Sequence, residues 1–212
     1  MIRDLAESIL ASWEMSEEMQ GEMHINEYRK RVLPYLDGKP FITVKQDTLE
    51  NLIQLVDEIV KVKTKESHHK VDGEKEFKRF YTGLLGEAAL EQFFGIPIIN
   101  WSVGDSVQYK NSDLLKAGYD VGVKTSELWK FPLVAKDISR PQMIAVRVDE
   151  RTIAIAGYAP VALLRARQIG KFVLHAGARQ RKGGFYGFSD LDAVKNKACL
   201  DSLVPERYKV TG

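Results

Sequence analysis

The chain has 212 residues, of which 44% are hydrophobic and 28% charged, a composition that excludes disordered, collagenous and coiled-coil proteins. The net charge is +2, and the single cysteine, Cys199, excludes a disulfide framework and a cysteine-based zinc site within one chain. No apolar run reaches the ~20 residues that cross a bilayer, and acidic residues follow closely behind Met1. We therefore expect a cytoplasmic protein with no membrane contact.

The N-terminal third has the apolar spacing of helices. A first stripe recurs every three or four residues, at Ile2, Leu5, Ile9 and Trp13, and would face a core, a partner or a second copy of the chain. A second stripe, between residues 49 and 60, follows helix-capping residues at 47 and 48. The polar stretch 61–73 marks a boundary. Residues 1–70 are predicted to form an N-terminal helical extension, with a homodimer through these helices as one partner prediction, and residues 71–212 the core.

A mixed α/β (α+β) fold is predicted for the remainder. A third helix is expected from residue 74 to 94, ending at Gly95, which can take positive φ. The apolar run 96–101 is expected to be a strand, and residues 119–125 alternate like a strand that looks central. Segments 143–148 and 152–156 should form a hairpin around residues 149–151, and Pro160 can begin a further helix.

The alternating strand carries the most informative side chains. Asp120, Gly122 and Lys124 share one face of it, and Lys124 stands among apolar neighbours, where an ammonium needs an anionic partner or a catalytic role. A tight turn at residues 116–118 would return Asp113 to the side of the same strand. We expect Asp113, Asp120 and Lys124 to come together.

Two acids on the third helix are candidates to join them. Glu91 falls inside the apolar sector of the helix and Glu87 at its edge; inward acids are costly unless they bind something, pair with a lysine or reach solvent. Carboxylates beside a lysine suit Mg²⁺ or Mn²⁺, which polarises a phosphate oxygen and acidifies a bound water, while the lysine orients that water. The chemistry that fits this set is phosphodiester hydrolysis.

The run Gly83-Leu-Leu-Gly-Glu-Ala-Ala-Leu90, a following strand, Asp113, a short hairpin and Val123-Lys-Thr-Ser126 resemble the PD-(D/E)XK nuclease superfamily, and most of all its small phage or mobile-element members. The resemblance covers roughly residues 74–160. It implies a restriction-endonuclease-like core, a central mixed sheet flanked by helices, that cleaves DNA with one or two Mg²⁺ ions. By this resemblance Glu87 corresponds to the helix glutamate, Asp113 to the motif aspartate and Lys124 to the motif lysine.

The chain departs from this family at two places. The family's second acid stands two residues before the lysine, where this chain has Gly122. Either Asp120 or Glu127 supplies the missing oxygen, or metal binding is impaired. The family's long helix after the lysine strand is also absent, because residues 126–140 contain Pro132 and allow only a short one.

Two functions follow from these residues. The first is a Mg²⁺-dependent deoxyribonuclease in which Glu87, Asp113 and Asp120 hold the metal, with Glu91 and Glu127 as further candidates, and Lys124 positions the attacking water. The alternative is a catalytically impaired nuclease fold that acts as a nucleic-acid-binding or regulatory module.

A basic segment is the predicted DNA contact. Residues 151–189 contain no acid and seven basic residues, a local field of the sign that attracts a phosphate backbone. The predicted contacts are Arg140, Gln142, Arg165, Arg167, Lys171, Arg179, Arg181 and Lys182. Gln142 is a candidate for contact with a metal-bound water or a phosphate, the alternative being a strand-edge amide. Phe185 and Phe188, in a glycine-rich run, either stack on bases or pack into the core.

Overall fold

The computed structural model describes residues 2–12, 22–63, 73–103, 111–174 and 176–210. The helices are α1 (Ile2–Ser12), α2 (Glu22–Arg31), α3 (Leu33–Leu36), α4 (Gln46–Lys63), α5 (Gly73–Phe94), α6 (Val161–Ala166) and α7 (Lys197–Leu203). The strands are β1 (Phe41–Thr43), β2 (Gly122–Glu127), β3 (Leu133–Ala135), β4 (Gln142–Arg147), β5 (Thr152–Ala159), β6 (Gln168–Ile169) and β7 (Lys182–Phe185). The fold is therefore mixed α/β, as the sequence predicted.

The main sheet has four strands in the order β1-β5-β4-β2. Strands β4 and β5 form the predicted antiparallel hairpin, and β2 runs parallel to β4. The prediction of a central position for the lysine strand is wrong: among the described residues, β2 pairs with β4 alone and lies at the edge of the sheet. Its connection to β4 contains β3 rather than a helix, and β3 joins β7 and β6 in a second, antiparallel sheet.

The main sheet is covered on both faces. Met143 and Ala145 of β4 pack in one hydrophobic cluster with side chains of α4 and α5. Ile144 and Val146, which alternate with them, pack in a second cluster with α1–α3 and the second sheet. Because successive strand residues point to opposite faces, this continuous apolar run is the pattern of a strand buried on both sides.

The N-terminal segment is integrated into this packing. β1 pairs with β5, so residues 1–70 supply a strand of the main sheet as well as helices. Ile2 and Ala6 of α1 are buried in the second cluster, and the Trp129 indole donates to the Ala6 carbonyl oxygen at 3.2 Å. Of the other stripe positions, Leu5 is exposed, whereas Trp13 and the Ile9 side chain lie outside the described residues.

Four further sequence predictions have clear outcomes. α5 ends at Phe94 and Gly95 has φ +67°, and α6 begins after Pro160, both as predicted. The predicted strand over 96–101 is wrong: this stretch is irregular and pairs with no described strand. Phe185 and Phe188 are buried, so they pack into the core and are not free to stack on bases. Within the described ranges, no helix is both long and apolar enough to span a membrane.

A close contact between α5 and β2 sets the distance between the two elements. A Cβ built on Gly86 of α5 would lie 2.9 Å from the Thr125 Cβ and would overlap the Thr125 hydroxyl oxygen. Thr125 has a short, branched side chain with little freedom to move aside. The helix can therefore approach the strand this closely only because residue 86 is glycine, and Glu87 is the next residue along the helix.

Gly86→Ala tests this contact. We expect it to lower the free energy of unfolding by about 1–3 kcal/mol, because the added methyl group overpacks a rigid interface. The matched control is Gly83→Ala on the same helix, where a Cβ would meet nothing within 4 Å. That change should stabilise by about 0.5–1 kcal/mol, because alanine is the better helix former. Urea unfolding monitored by circular dichroism measures both; equal effects of the two changes would contradict the contact.

Candidate active site at the β2 edge

Three elements each contribute one charged side chain at the β2 edge. Glu87 lies on α5, Asp113 precedes the turn that leads into β2, and Lys124 lies on β2 itself. All three side chains are partly buried. We call this group of three the edge site.

The turn before β2 fixes the position of Asp113. Residues 115–117 form a single 3₁₀ turn that ends at Gly118 with φ +91°, and the Leu114 amide donates to the Val121 carbonyl oxygen at 3.0 Å. This reversal places Asp113 beside the strand, where its Oδ2 accepts a hydrogen bond from the Val123 amide at 2.5 Å. The carboxylate is thus held by backbone next to Lys124.

The three groups of the edge site lie close enough for each acid to be influenced by the charges of its neighbours. Burial raises the pKa of Glu87 well above its usual value, and the negative charge of Asp113 adds to this effect while the Lys124 ammonium opposes it. Burial also raises the pKa of Asp113, against the hydrogen bond from Val123 and the positive charge of Lys124. Two acids and one ammonium therefore share a poorly hydrated region.

No hydrogen bond or ion pair links the Glu87 carboxylate or the Lys124 ammonium to any of the described residues. The nearby Lys182 of β7 has a lowered pKa, because the surrounding protein removes part of its hydration and Lys124 and Arg79 repel it. Positive charges from β2, α5 and the second sheet thus lie near one another beside the two acids.

The other predicted acidic ligands have partners elsewhere. Asp120 pairs with Arg140 at 3.2 Å. One oxygen of Glu91 accepts from the Ile98 and Ile99 amides at 2.8 and 3.0 Å, which explains how an inward acid is tolerated on α5. Burial alone would raise the pKa of Glu127, but its ion pairs with Lys130 at 2.7 Å and Lys78 at 3.0 Å keep the pKa below the usual value.

The donor set at the edge site suits a hard divalent cation. Two partly buried carboxylates, one of them with no hydrogen-bond partner among the described residues, are the ligand type that Mg²⁺ and Mn²⁺ prefer. Among the described residues, no three His, Cys, Asp or Glu side chains are grouped to hold a metal. Gln142 of β4, opposite Gly122 of β2, is a buried amide.

The six predicted DNA contacts between residues 165 and 182 divide into two groups. Arg165 donates to the Ile138 carbonyl oxygen at 2.8 Å, Arg167 pairs with Asp190 at 2.7 Å, and Arg179 donates to the Val173 carbonyl oxygen at 2.8 Å, so these three also stabilise the fold. The exposed side chains of Lys171, Arg181 and Lys182 remain available to a polyanion. Of this segment, Lys182 is the residue coupled to the edge site.

Sequence reasoning did not find Gly86 or Arg79. The signal for Gly86 was present, since glycine inside a helix costs stability and usually has a packing reason. Arg79 lies on α5 near Lys182 of β7. The two residues are 103 positions apart in the chain, so no local sequence pattern predicts that they are close.

Comparisons with known proteins supply no assignment. No family model matches the chain, and searches of curated proteins and of solved structures gave no significant match. The geometry of the edge site therefore carries the functional argument.

Glu87→Gln tests the burial of the helix acid. Glu87 has a higher pKa in the folded protein than in the unfolded chain. The protonated group therefore stabilises the fold fully below its usual pKa of about 4.5, and this stabilisation is lost as the pH rises through the higher pKa of the folded state. In EDTA, the variant should match wild-type Tm near pH 4.5 and exceed it by a few degrees at about pH 8.

The control is Glu58→Gln, which changes an exposed glutamate of α4. Thermal scans across this pH range measure both variants. A Glu87→Gln difference that stays constant with pH would mean that Glu87 ionises normally.

Proposed function

We propose that this protein is a Mg²⁺- or Mn²⁺-dependent deoxyribonuclease with a restriction-endonuclease-like core. The observation that carries the proposal is the grouping of two partly buried, electrostatically coupled carboxylates, Glu87 and Asp113, with the Lys124 ammonium, which has no ion-pair partner among the described residues, at one edge of a mixed sheet. A poorly hydrated carboxylate without a hydrogen-bond partner, as Glu87 is within the described part of the chain, destabilises a fold, so its presence favours a functional role. The family resemblance of residues 74–160 points to the same chemistry.

Each residue has a distinct task in this proposal. Glu87 and Asp113 would hold the divalent cation, and the Val123 amide keeps one Asp113 oxygen oriented. When bound, the cation neutralises phosphate charge and lowers the pKa of water. Lys124, with no acid paired to it among the described residues, can orient the attacking water or stabilise negative charge that develops on the phosphate.

The basic surface beside the edge site supports DNA as the substrate. Lys124 and Arg79 both lie close enough to Lys182 to repel it, and a polyanion relieves such repulsion.

A second candidate function is a nucleic-acid-binding module without catalysis. Gly122 has no ligand atom, and the acids proposed to replace it, Asp120 and Glu127, are already ion-paired. Incubation of supercoiled plasmid with Mg²⁺, with Mn²⁺ and with EDTA separates the two functions. Metal-dependent nicking supports the nuclease, whereas a mobility shift without nicks supports the binding module.

Lys124→Ala should reduce plasmid nicking by roughly 10²–10³-fold, because the charge that stabilises the transition state is lost. DNA affinity should fall little, because one phosphate contact among several is removed. The control is Lys45→Ala, an exposed lysine after β1 at the opposite edge of the sheet. Nicking by Lys124→Ala at the wild-type rate would eliminate this mechanism.

Lys182→Ala should weaken DNA binding uniformly across sequences and reduce the slope of log affinity against log salt by about one. Fluorescence anisotropy with a labelled duplex at several salt concentrations measures the slope, again with Lys45→Ala as control. An unchanged slope would place the DNA path elsewhere.

A further inference from the structure

The place of the missing acid is filled by a side chain from the neighbouring strand. Gly122 and Gln142 are opposite each other in the parallel pair of β2 and β4. A Cβ built on Gly122 would lie 2.7 Å from Gln142 Nε2 and 2.9 Å from Gln142 Cδ, and closer still to Oε1. The carboxamide therefore stands where a side chain at position 122 would begin.

That position is on the Lys124 side of the strand. Residues 122 and 124 are two apart on β2, so their side-chain directions coincide. The Asp113 carboxylate is bound to the amide of residue 123 between them. The Gln142 carboxamide thus lies over β2 on the side to which Lys124 points.

The amide oxygen of Gln142 has no hydrogen-bond partner in the part of the chain that the structure describes. Gln142 is only 3% exposed, and its Oε1 accepts no hydrogen bond from the described residues. Its Nε2 donates to the Arg140 carbonyl oxygen at 3.4 Å. This hydrogen bond orients the carboxamide, with Nε2 toward the Arg140 backbone and Oε1 away from it. A buried acceptor without a donor costs free energy, and the cost is recovered if the oxygen binds a cation.

We propose that Gln142 Oε1 is the third protein ligand of the divalent cation at the edge site, in place of the acid that Gly122 lacks. This inference rests on the proposed function, because it assumes that Glu87 and Asp113 hold the cation. Carboxamide oxygens are ordinary ligands of hard cations, and a neutral third ligand leaves two carboxylate charges to balance the cation. In this proposal the third ligand comes from β4 instead of β2 and lies where a side chain at position 122 would begin.

Mn²⁺ binding to the full chain, measured by calorimetry in the absence of DNA, tests the proposal. Gln142→Leu keeps the side-chain volume but removes the oxygen, and should weaken Mn²⁺ affinity about tenfold or more. Gln142→Glu restores an oxygen in the same place and should bind Mn²⁺ at least as tightly as the wild type. The matched control is Gln168→Leu, because Gln168 of β6 also has a buried, unpartnered Oε1 packed over a glycine, Gly183.

A ligand exchange between the two strands gives a second, independent readout. In the double variant Gly122→Asp with Gln142→Ala, the alanine makes room on β4 for an acid on β2. This variant should recover the Mn²⁺ affinity that Gln142→Ala alone loses. Recovery is incompatible with a purely structural role of Gln142, since the double variant lacks the amide entirely.

The outcomes separate this inference from the proposed function. If Glu87→Gln loses Mn²⁺ affinity while Gln142→Leu retains it, Gln142 is not a ligand and the nuclease proposal stands. If wild-type protein binds no Mn²⁺, both are overturned. Thermal unfolding shows whether each variant is folded. If Gln142→Leu does not fold, the Mn²⁺ affinity of Gln142→Glu is compared with that of the wild type, and weaker binding by a folded Gln142→Glu protein overturns the inference.

Discussion

The approach of α5 to β2 is the constraint on which the edge site depends. Without a side chain at residue 86, the helix backbone reaches the Thr125 side chain, and Glu87 is brought to the sheet edge where Asp113 and Lys124 lie. Any larger residue at position 86 would separate the helix from the strand. The position of the helix acid is therefore determined by packing, and its raised pKa is a consequence of that packing.

Local chemistry explains which parts of the fold were predictable. Three features depend only on residues that are close together in the sequence: the end of α5 at Gly95, the β4–β5 hairpin and the turn that places Asp113 beside β2. The edge position of β2 did not follow from its sequence, because strand order is decided by pairing between distant segments. The contribution of β1 to the sheet was missed for the same reason, since three residues of strand give too short a pattern to identify.

The candidate site divides in the same way. Glu87, Asp113 and Lys124 could be proposed from periodicity and resemblance because each has a recognisable place on its own element. The ion pair of Asp120 with Arg140, and the two lysines that neutralise Glu127, could not, because charge pairing depends on rotamers and on tertiary neighbours. The space filled by Gln142 over Gly122 is likewise a property of two strands together, which neither segment alone reveals.

The pairing of β1 with β5 has a practical consequence for handling the protein. A fragment beginning near residue 71, the boundary that composition suggests, would lack β1 and leave the amide and carbonyl groups of β5 without their hydrogen-bonded neighbour. Uncovered strand edges of this kind recruit other chains. Such a truncation should self-associate, so soluble production of the region from residue 71 onward requires that residues 41–43 be retained with it.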